Sequence, residues 1–202
     1  MKLYYSPGAC SLAVHIALFE AGIEFESILA STKTHKLSDG TDFYTINPLG
    51  YVPVLELEDG RRLRESAAIL QYIADLAPQT KLAPTNGTFK RYQLQEWLNF
   101  IATEIHKSFT PLFAPGTPAE TKSMSKEKIH NRLTWTNNEL ENKKYLMGDE
   151  FTVADAYLFN VTNWAKFVSV DLSSFANLLK YRSEISAMNS VQEAMKREGL
   201  VK

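Results

Sequence analysis

Lys2-Leu3-Tyr4-Tyr5-Ser6-Pro7-Gly8-Ala9-Cys10-Ser11, running on through Leu12 to Glu20, is the stretch that decides the fold of this chain. The first four residues read as a short strand, Ser6-Pro7-Gly8-Ala9 turns the backbone, and Ser11 to Glu20 carries helical periodicity. Cys10, the only cysteine, falls at the join of strand and helix. A thiol at a helix N-terminus meets unpaired backbone N–H groups and the positive end of the macrodipole, and both favour thiolate over thiol. The same position also fits a small buried core residue, which free cysteine often is.

Working outward, Phe25-Glu26-Ser27-Ile28-Leu29 alternates as a second strand and Ser31 to Thr41 is a polar loop. Phe43 to Ile46 forms a short helix that stops before Asn47-Pro48. Val54-Leu55-Glu56-Leu57 and Arg62-Leu63-Arg64 are strands joined by Glu58-Asp59-Gly60-Arg61, a hairpin turn signalled by Asp-Gly. Ser66 to Leu76 is a helix with an apolar stripe of Ala68, Ile69, Tyr72, Ile73 and Leu76. The order β-α-β-(α)-β-β-α predicts one mixed sheet with helices on its faces.

Ala77-Pro78 to Gly87-Thr88 reads as a linker, so the chain divides into an α/β domain over residues 1–80 and an all-helical domain over 87–202. The helical part begins with one long helix from Phe89 to Phe113, stopped around Pro111 to Pro115, and a more polar helix from Ala119 to Asn142. Thr152-Val153-Ala154-Asp155 has the form of a capping box, with Asp in place of the usual Glu or Gln. Ala156 to Val168 is apolar on nearly all sides and is predicted to be the buried helix of this domain. Shorter helices follow near Ser174 to Arg182 and Ser190 to Glu198.

The net charge of −1 gives no nucleic-acid footprint, and no apolar run approaches the length of a membrane span. Met1-Lys2-Leu3 leads into tyrosines and Pro-Gly rather than a secretory segment. One cysteine excludes an intramolecular disulfide and a cysteine-rich metal site, and fits a reducing compartment. A cytoplasmic protein is the expectation. The four histidines show no metal-ligand spacing, and no metal is expected; His15 and His130 read as plain helix residues.

Three further groups of residues carry candidate chemistry. In Asn47-Pro48-Leu49-Gly50-Tyr51-Val52-Pro53, Pro53 is either an ordinary strand-entry proline or the site of a cis bond that turns Val52 outward for strand-like pairing with an extended ligand. Ser66 suits a helix N-cap, and the same geometry makes an anion site with Glu65 beside it. Asn99, Thr103 and His106 fall at i, i+4 and i+7, on one face of the long helix. Such a polar line serves either a polar ligand or a polar contact with another domain or subunit.

Ser6-Pro7-Gly8-Ala9-Cys10-Ser11, Asn47 to Pro53, Glu65-Ser66-Ala67-Ala68-Ile69, Trp97-Leu98-Asn99-Phe100 and Phe151-Thr152-Val153-Ala154-Asp155-Ala156-Tyr157 together resemble bacterial cytosolic glutathione transferases of the beta class, over essentially the whole chain. The resemblance implies a thioredoxin-like N-terminal domain, an all-helical C-terminal domain and a homodimer. It implies that Cys10 lies beside or bonds to the sulfur of glutathione, and that Val52 pairs with the cysteinyl backbone next to a cis Pro53. It assigns Glu65 and Ser66 to the γ-glutamyl group, and adds Ser11, His35, Asn99, Thr103 and His106 to the glutathione site, with Cys10 and His106 as the catalytic pair. Relatives often carry lysine where this chain has His35, with Lys33 and Lys36 nearby. Ala13 stands where a thioredoxin-type motif needs a second cysteine, so a redox cycle here requires an external thiol.

The leading expectation is an enzyme that conjugates glutathione, its co-substrate, to a soft hydrophobic electrophile in an apolar inter-domain pocket lined by Tyr5, Phe109 and Trp164. The rivals are thiol transfer through a Cys10 mixed disulfide, glutathione-dependent dehalogenation, and a non-enzymatic ligand carrier or interaction module.

Overall fold

The computed structural model describes residues 1–202. The strands form where the sequence places them: β1 (Lys2–Tyr5), β2 (Glu26–Leu29), β3 (Val54–Glu56) and β4 (Arg62–Arg64) make one sheet in the order β2-β1-β3-β4. β1 runs parallel to β2 with Leu3 opposite Ser27, and antiparallel to β3 with Leu3 opposite Leu55. β3 and β4 form the hairpin turned by Asp59 and Gly60, with Leu55 opposite Leu63. The sheet is mixed and four-stranded, as predicted.

Helix α1 (Ser11–Glu20) is buried from Ser11 to Leu18. Such all-round burial requires cover on every side, and α1 packs against β1, α2 (Ser66–Leu76) and α8 (Asn189–Arg197). Tyr4, Ala30, Phe43, Val52 and Val54 make a small core cluster under the Asn47–Pro53 segment.

The sequence reading runs the helical domain to residue 202, but residues Met188–Lys202 group with Met1–Leu82 in one compact unit, and Ala83–Ala187 form the other. The reason is α8, whose apolar residues Val191 and Ala194 are fully buried while its following residue, Glu198, pairs with His15.

In the second unit the long helix is not uniform. α3 (Phe89–Phe100) widens into a π-type turn over Ile101–His106 before α4 (Lys107–Phe113) resumes; it takes Pro111 into its last turn and ends at Phe113, within the predicted stop. α5 spans Ala119–Glu139 and α7 spans Ala176–Ser186. α6 (Val153–Asn163) is buried from Val153 to Thr162. It ends before the predicted Val168, giving way to a tighter turn over Trp164–Phe167, where the Arg182 guanidinium donates to Thr162 Oγ1 and Asn163 Oδ1.

The capping box at the start of α6 forms as predicted. Asp155 also accepts the Leu146 N–H and the Tyr181 hydroxyl, at 2.8 and 3.0 Å. Burial raises the Asp155 carboxyl to about 6 in spite of these donors.

Candidate active site

Cys10 occupies the N-cap position of α1, half-buried. Its thiol donates to the Val52 carbonyl across 3.2 Å, which brings two sequence-named residues together. The turn before it is closed internally: Ala9 N–H donates to Ser6 O, while Ser11 Oγ accepts the Ser6 N–H and donates to Ser6 O, both at 3.2 Å. Ser11 is fully buried, so its hydroxyl is committed to this turn rather than presented to a ligand.

The Val52–Pro53 peptide is cis, as the resemblance implies. Val52 is held from below by the core cluster and from the chain side by Asn47, itself fully buried. Asn47 Nδ2 donates to Tyr51 O at 2.6 Å, its Oδ1 accepts the Leu49 N–H, and its carbonyl accepts the Gly50 N–H. Gly50 has φ 72°, and a Cβ there would lie 2.5 Å from Tyr44 Cε1, so the motif admits no side chain at this point. His35, at φ 52°, stacks on Tyr44 and bonds through Nδ1 to Gly50 O at 2.8 Å. A carbonyl only accepts, so His35 Nδ1 carries a proton and donates it to Gly50 O.

At the start of α2 the structure corrects the capping assignment. Glu65, not Ser66, is the N-cap, and Ser66 is the first helical residue. Glu65 is exposed and adopts φ 67°, ψ 118°, a conformation rarely taken by a residue with a side chain. No side chain caps α2, so the first N–H groups of the helix depend on another acceptor.

In the second unit the predicted polar line divides. Asn99 and Thr103 are exposed, and Thr103 Oγ1 donates to Asn99 O at 3.0 Å. The π-type turn, with one more residue per turn than an α-helix, carries His106 off that line and into the unit. There His106 Nδ1 lies 2.7 Å from the Tyr157 hydroxyl, with Trp164 edge-on at 4.7 Å. Burial, reinforced by Lys107, lowers His106 to about 4, so it is neutral at pH 7. An imidazole nitrogen is a better acceptor than a phenol oxygen, which assigns the phenol as donor and leaves His106 Nε2–H as a donor.

Phe109 is fully buried and backs Trp164 edge-on instead of lining open space, whereas Phe113 meets the same ring and is half exposed. Tyr157, which bonds His106, and Phe113, which meets Trp164, are neighbours that residue spacing missed; Tyr157 sits in the capping-box motif, two residues after Asp155. No group of three or more His, Cys, Asp or Glu side chains is placed to hold a metal ion.

Comparison with known proteins places the chain in a family. Residues 8–76 match the family model of the glutathione S-transferase N-terminal domain, and residues 100–189 match that of the C-terminal domain. The chain is 42% identical to glutathione S-transferase GstA of Escherichia coli O157:H7, over 99% of this chain and 100% of that protein. A beta-class glutathione S-transferase from Sphingomonas chungbukensis superposes with a TM-score of 0.96 at 46% identity, covering 100% of both chains. A sphingomonad glutathione S-transferase solved in complex with glutathione superposes with a TM-score of 0.95 at 43% identity, again over 100% of both. The chain belongs to the glutathione S-transferase family, in its bacterial beta class, with the thioredoxin-like N-terminal fold and transferase activity of that family.

Proposed function

We propose that this transferase conjugates the thiolate of glutathione to soft hydrophobic electrophiles, forming a thioether and expelling the leaving group. The observation that carries the proposal is the N-terminus of α1 facing Val52, two features that the Cys10 thiol, N-cap of α1 and bonded to the Val52 carbonyl, brings to one place. In this reading the cysteinyl backbone of glutathione pairs with the main chain of Val52, whose carbonyl has a second lone pair to offer. The α-carboxylate of the γ-glutamyl group takes the uncapped N–H groups and hydroxyl of Ser66, and Glu65 pairs with the ammonium. His35 faces the glycyl carboxylate, and Asn99 and Thr103 add polar contacts. Ser11 serves by holding the Cys10 turn.

The N-terminus of α1 stabilises the glutathione sulfur as thiolate. His106 adds an uncharged Nε2–H, and Trp164 and Phe113 supply apolar surface for the electrophile. Orientation and exclusion of water lower the barrier further.

The placement of Cys10 also favours a second reading. Its thiolate attacks a mixed disulfide R–S–S–G, releasing RS⁻ and forming Cys10–S–S–G; a second glutathione thiolate then releases oxidised glutathione and restores Cys10. A panel of an aryl halide, a mixed disulfide and a chlorinated aromatic acid, each with glutathione, separates the two readings and also reports dehalogenation. Saturable aryl-halide conjugation is expected, and its absence at any glutathione concentration would sink the first reading.

We assign the working form as a cytoplasmic homodimer. Leu76, Phe89 and Tyr92 are 46%, 78% and 60% exposed in the single chain, an apolar exposure that a second copy would relieve. Sedimentation at micromolar concentration tests it, and a monomer would refute it. No helix is long and apolar enough to cross a membrane.

A further inference from the structure

Glu198, just after α8, is a buried carboxylate that the proposed chemistry does not use. Its side chain and that of His15 are both 0% exposed, and His15 Nδ1 lies 2.6 Å from Glu198 Oε1. The other oxygen, Oε2, accepts the Gly8 N–H at 2.7 Å. His15 Nε2 is in turn 2.9 Å from Ser27 Oγ on β2. Gly8 has φ 70° and stands two residues before Cys10, in the turn that the Ser6–Ala9 and Ser6–Ser11 bonds also close.

Burying a carboxylate costs several kcal/mol before its hydrogen bonds offset it. Seating α8 on α1 does not require that cost, because Val191 and Ala194 already supply apolar contact. What the carboxylate adds is an acceptor for the Gly8 N–H, in the turn that leads into Cys10. His15, held by Ser27 from the sheet side, fixes the rotamer of Glu198.

We infer that Glu198 is a positioning residue for Cys10, with His15 behind it: the carboxylate clamps the Gly8 N–H and thereby sets where the thiol meets Val52. Only the activity arm of the test rests on the thiol-transfer reading above. The reactivity arm uses ligand-free protein, and a lone cysteine makes the alkylation signal unambiguous.

The experiment compares full-length Glu198→Ala, Glu198→Asp and Glu198→Gln, with Val191→Ala as a variant that loosens α8 without touching Gly8. Iodoacetamide labelling of Cys10 and the kinetics of glutathione-dependent thiol transfer from a mixed disulfide, the reaction that uses the Cys10 sulfur itself, are measured on folded protein. Alanine removes the acceptor, and aspartate keeps the charge but falls one methylene short of Gly8. Both should speed Cys10 alkylation roughly threefold or more, because the turn opens locally. Both should lower kcat on the order of tenfold with KM for glutathione little changed, because the reacting groups are misplaced rather than the tripeptide lost. Glutamine presents its carbonyl oxygen to Gly8 and its amide to His15, which can switch tautomer and accept, so Glu198→Gln and Val191→Ala should both behave as wild type. If Glu198→Ala does not fold, the aspartate variant decides. Wild-type alkylation in the aspartate variant, the same acceleration in Val191→Ala, or failure of the glutamine variant to restore slow alkylation would each overturn the inference. A wild-type enzyme without thiol-transfer activity would refute that reading and leave the alkylation comparison intact.

Discussion

Two buried groups in the second unit titrate in opposite senses over one pH window, and separating them is the sharpest test of the structure. Asp155 is raised from 3.8 to about 6 by burial, so between those values the folded chain keeps a proton that the unfolded chain releases. Stability from this group is therefore full below pH 4 and is lost as pH rises through about 6. His106 is lowered from 6.5 to about 4, so the folded chain lacks a proton that the unfolded chain binds. Its contribution is full above about pH 6.5 and is lost as pH falls through about 4. At 1.36 kcal/mol per unit, each shift amounts to about 3 kcal/mol as an upper figure. The two nearly cancel in the wild type.

Asp155→Asn should then make the urea stability rise by about 3 kcal/mol from pH 4 to pH 6.5, and His106→Gln should make it fall by a similar amount. The double variant should be flat again. The amide introduced by Asp155→Asn cannot satisfy Thr152 N–H as the carboxylate does, which lowers stability by about 1–3 kcal/mol at every pH and leaves the slope as the signal. The assay is urea unfolding at half-unit pH steps, with tryptophan fluorescence reporting and the m value checked for constancy. A pH profile for Asp155→Asn that parallels wild type would refute the argument, because the proton uptake assigned to Asp155 would then belong elsewhere.

Three other outcomes follow from the site. Cys10→Ala should lose thiol transfer almost entirely while keeping measurable aryl-halide conjugation, both assayed on one folded preparation; equal loss of both would make Cys10 a general activator. Glu65→Gly should relieve the positive φ and raise stability by about 1 kcal/mol in urea unfolding while raising KM for glutathione, since strain and ligand pairing sit in one residue. His35→Lys should lower KM for glutathione at pH 8 by roughly the tenfold that one charge-assisted contact supplies, measured by initial rates; an unchanged KM would remove position 35 from the carboxylate site.

The parts of this fold that are legible in the sequence are those that local chemistry dictates. The strand and turn before Cys10, the Asp59-Gly60 hairpin and the Thr152–Asp155 box each depend on a few adjacent residues, and each forms as read. What is not legible depends on a distant partner. Leu98, Ile101, Ile105 and Phe109 keep an apolar spacing that an unbroken α-helix satisfies, so nothing in it announces the π-type turn. The burial of His106 against Tyr157 and Trp164 appears only once α6 is in place. His15 looks like a plain helix residue until Glu198 returns from 183 positions away. Glu65 carries a backbone angle usually reserved for glycine, so its residue type points away from its conformation.

The two histidines named for the site differ in what their Nδ1 atoms meet. His35 meets the Gly50 carbonyl, which has no proton to give, so Nδ1 donates and ties the ring to the Asn47–Pro53 motif. His106 meets the Tyr157 hydroxyl, which can donate, so Nε2 keeps its hydrogen while burial keeps the ring uncharged. His106 therefore stays in one protonation state down to about pH 4, and a step that uses its Nε2–H is insensitive to that residue's titration between pH 8 and pH 6. The pH profile of kcat over that range, at saturating glutathione, should accordingly have the same shape in the wild type and in His106→Gln, whatever the loss in rate. A limb in the wild-type profile that disappears in His106→Gln would refute the uncharged assignment.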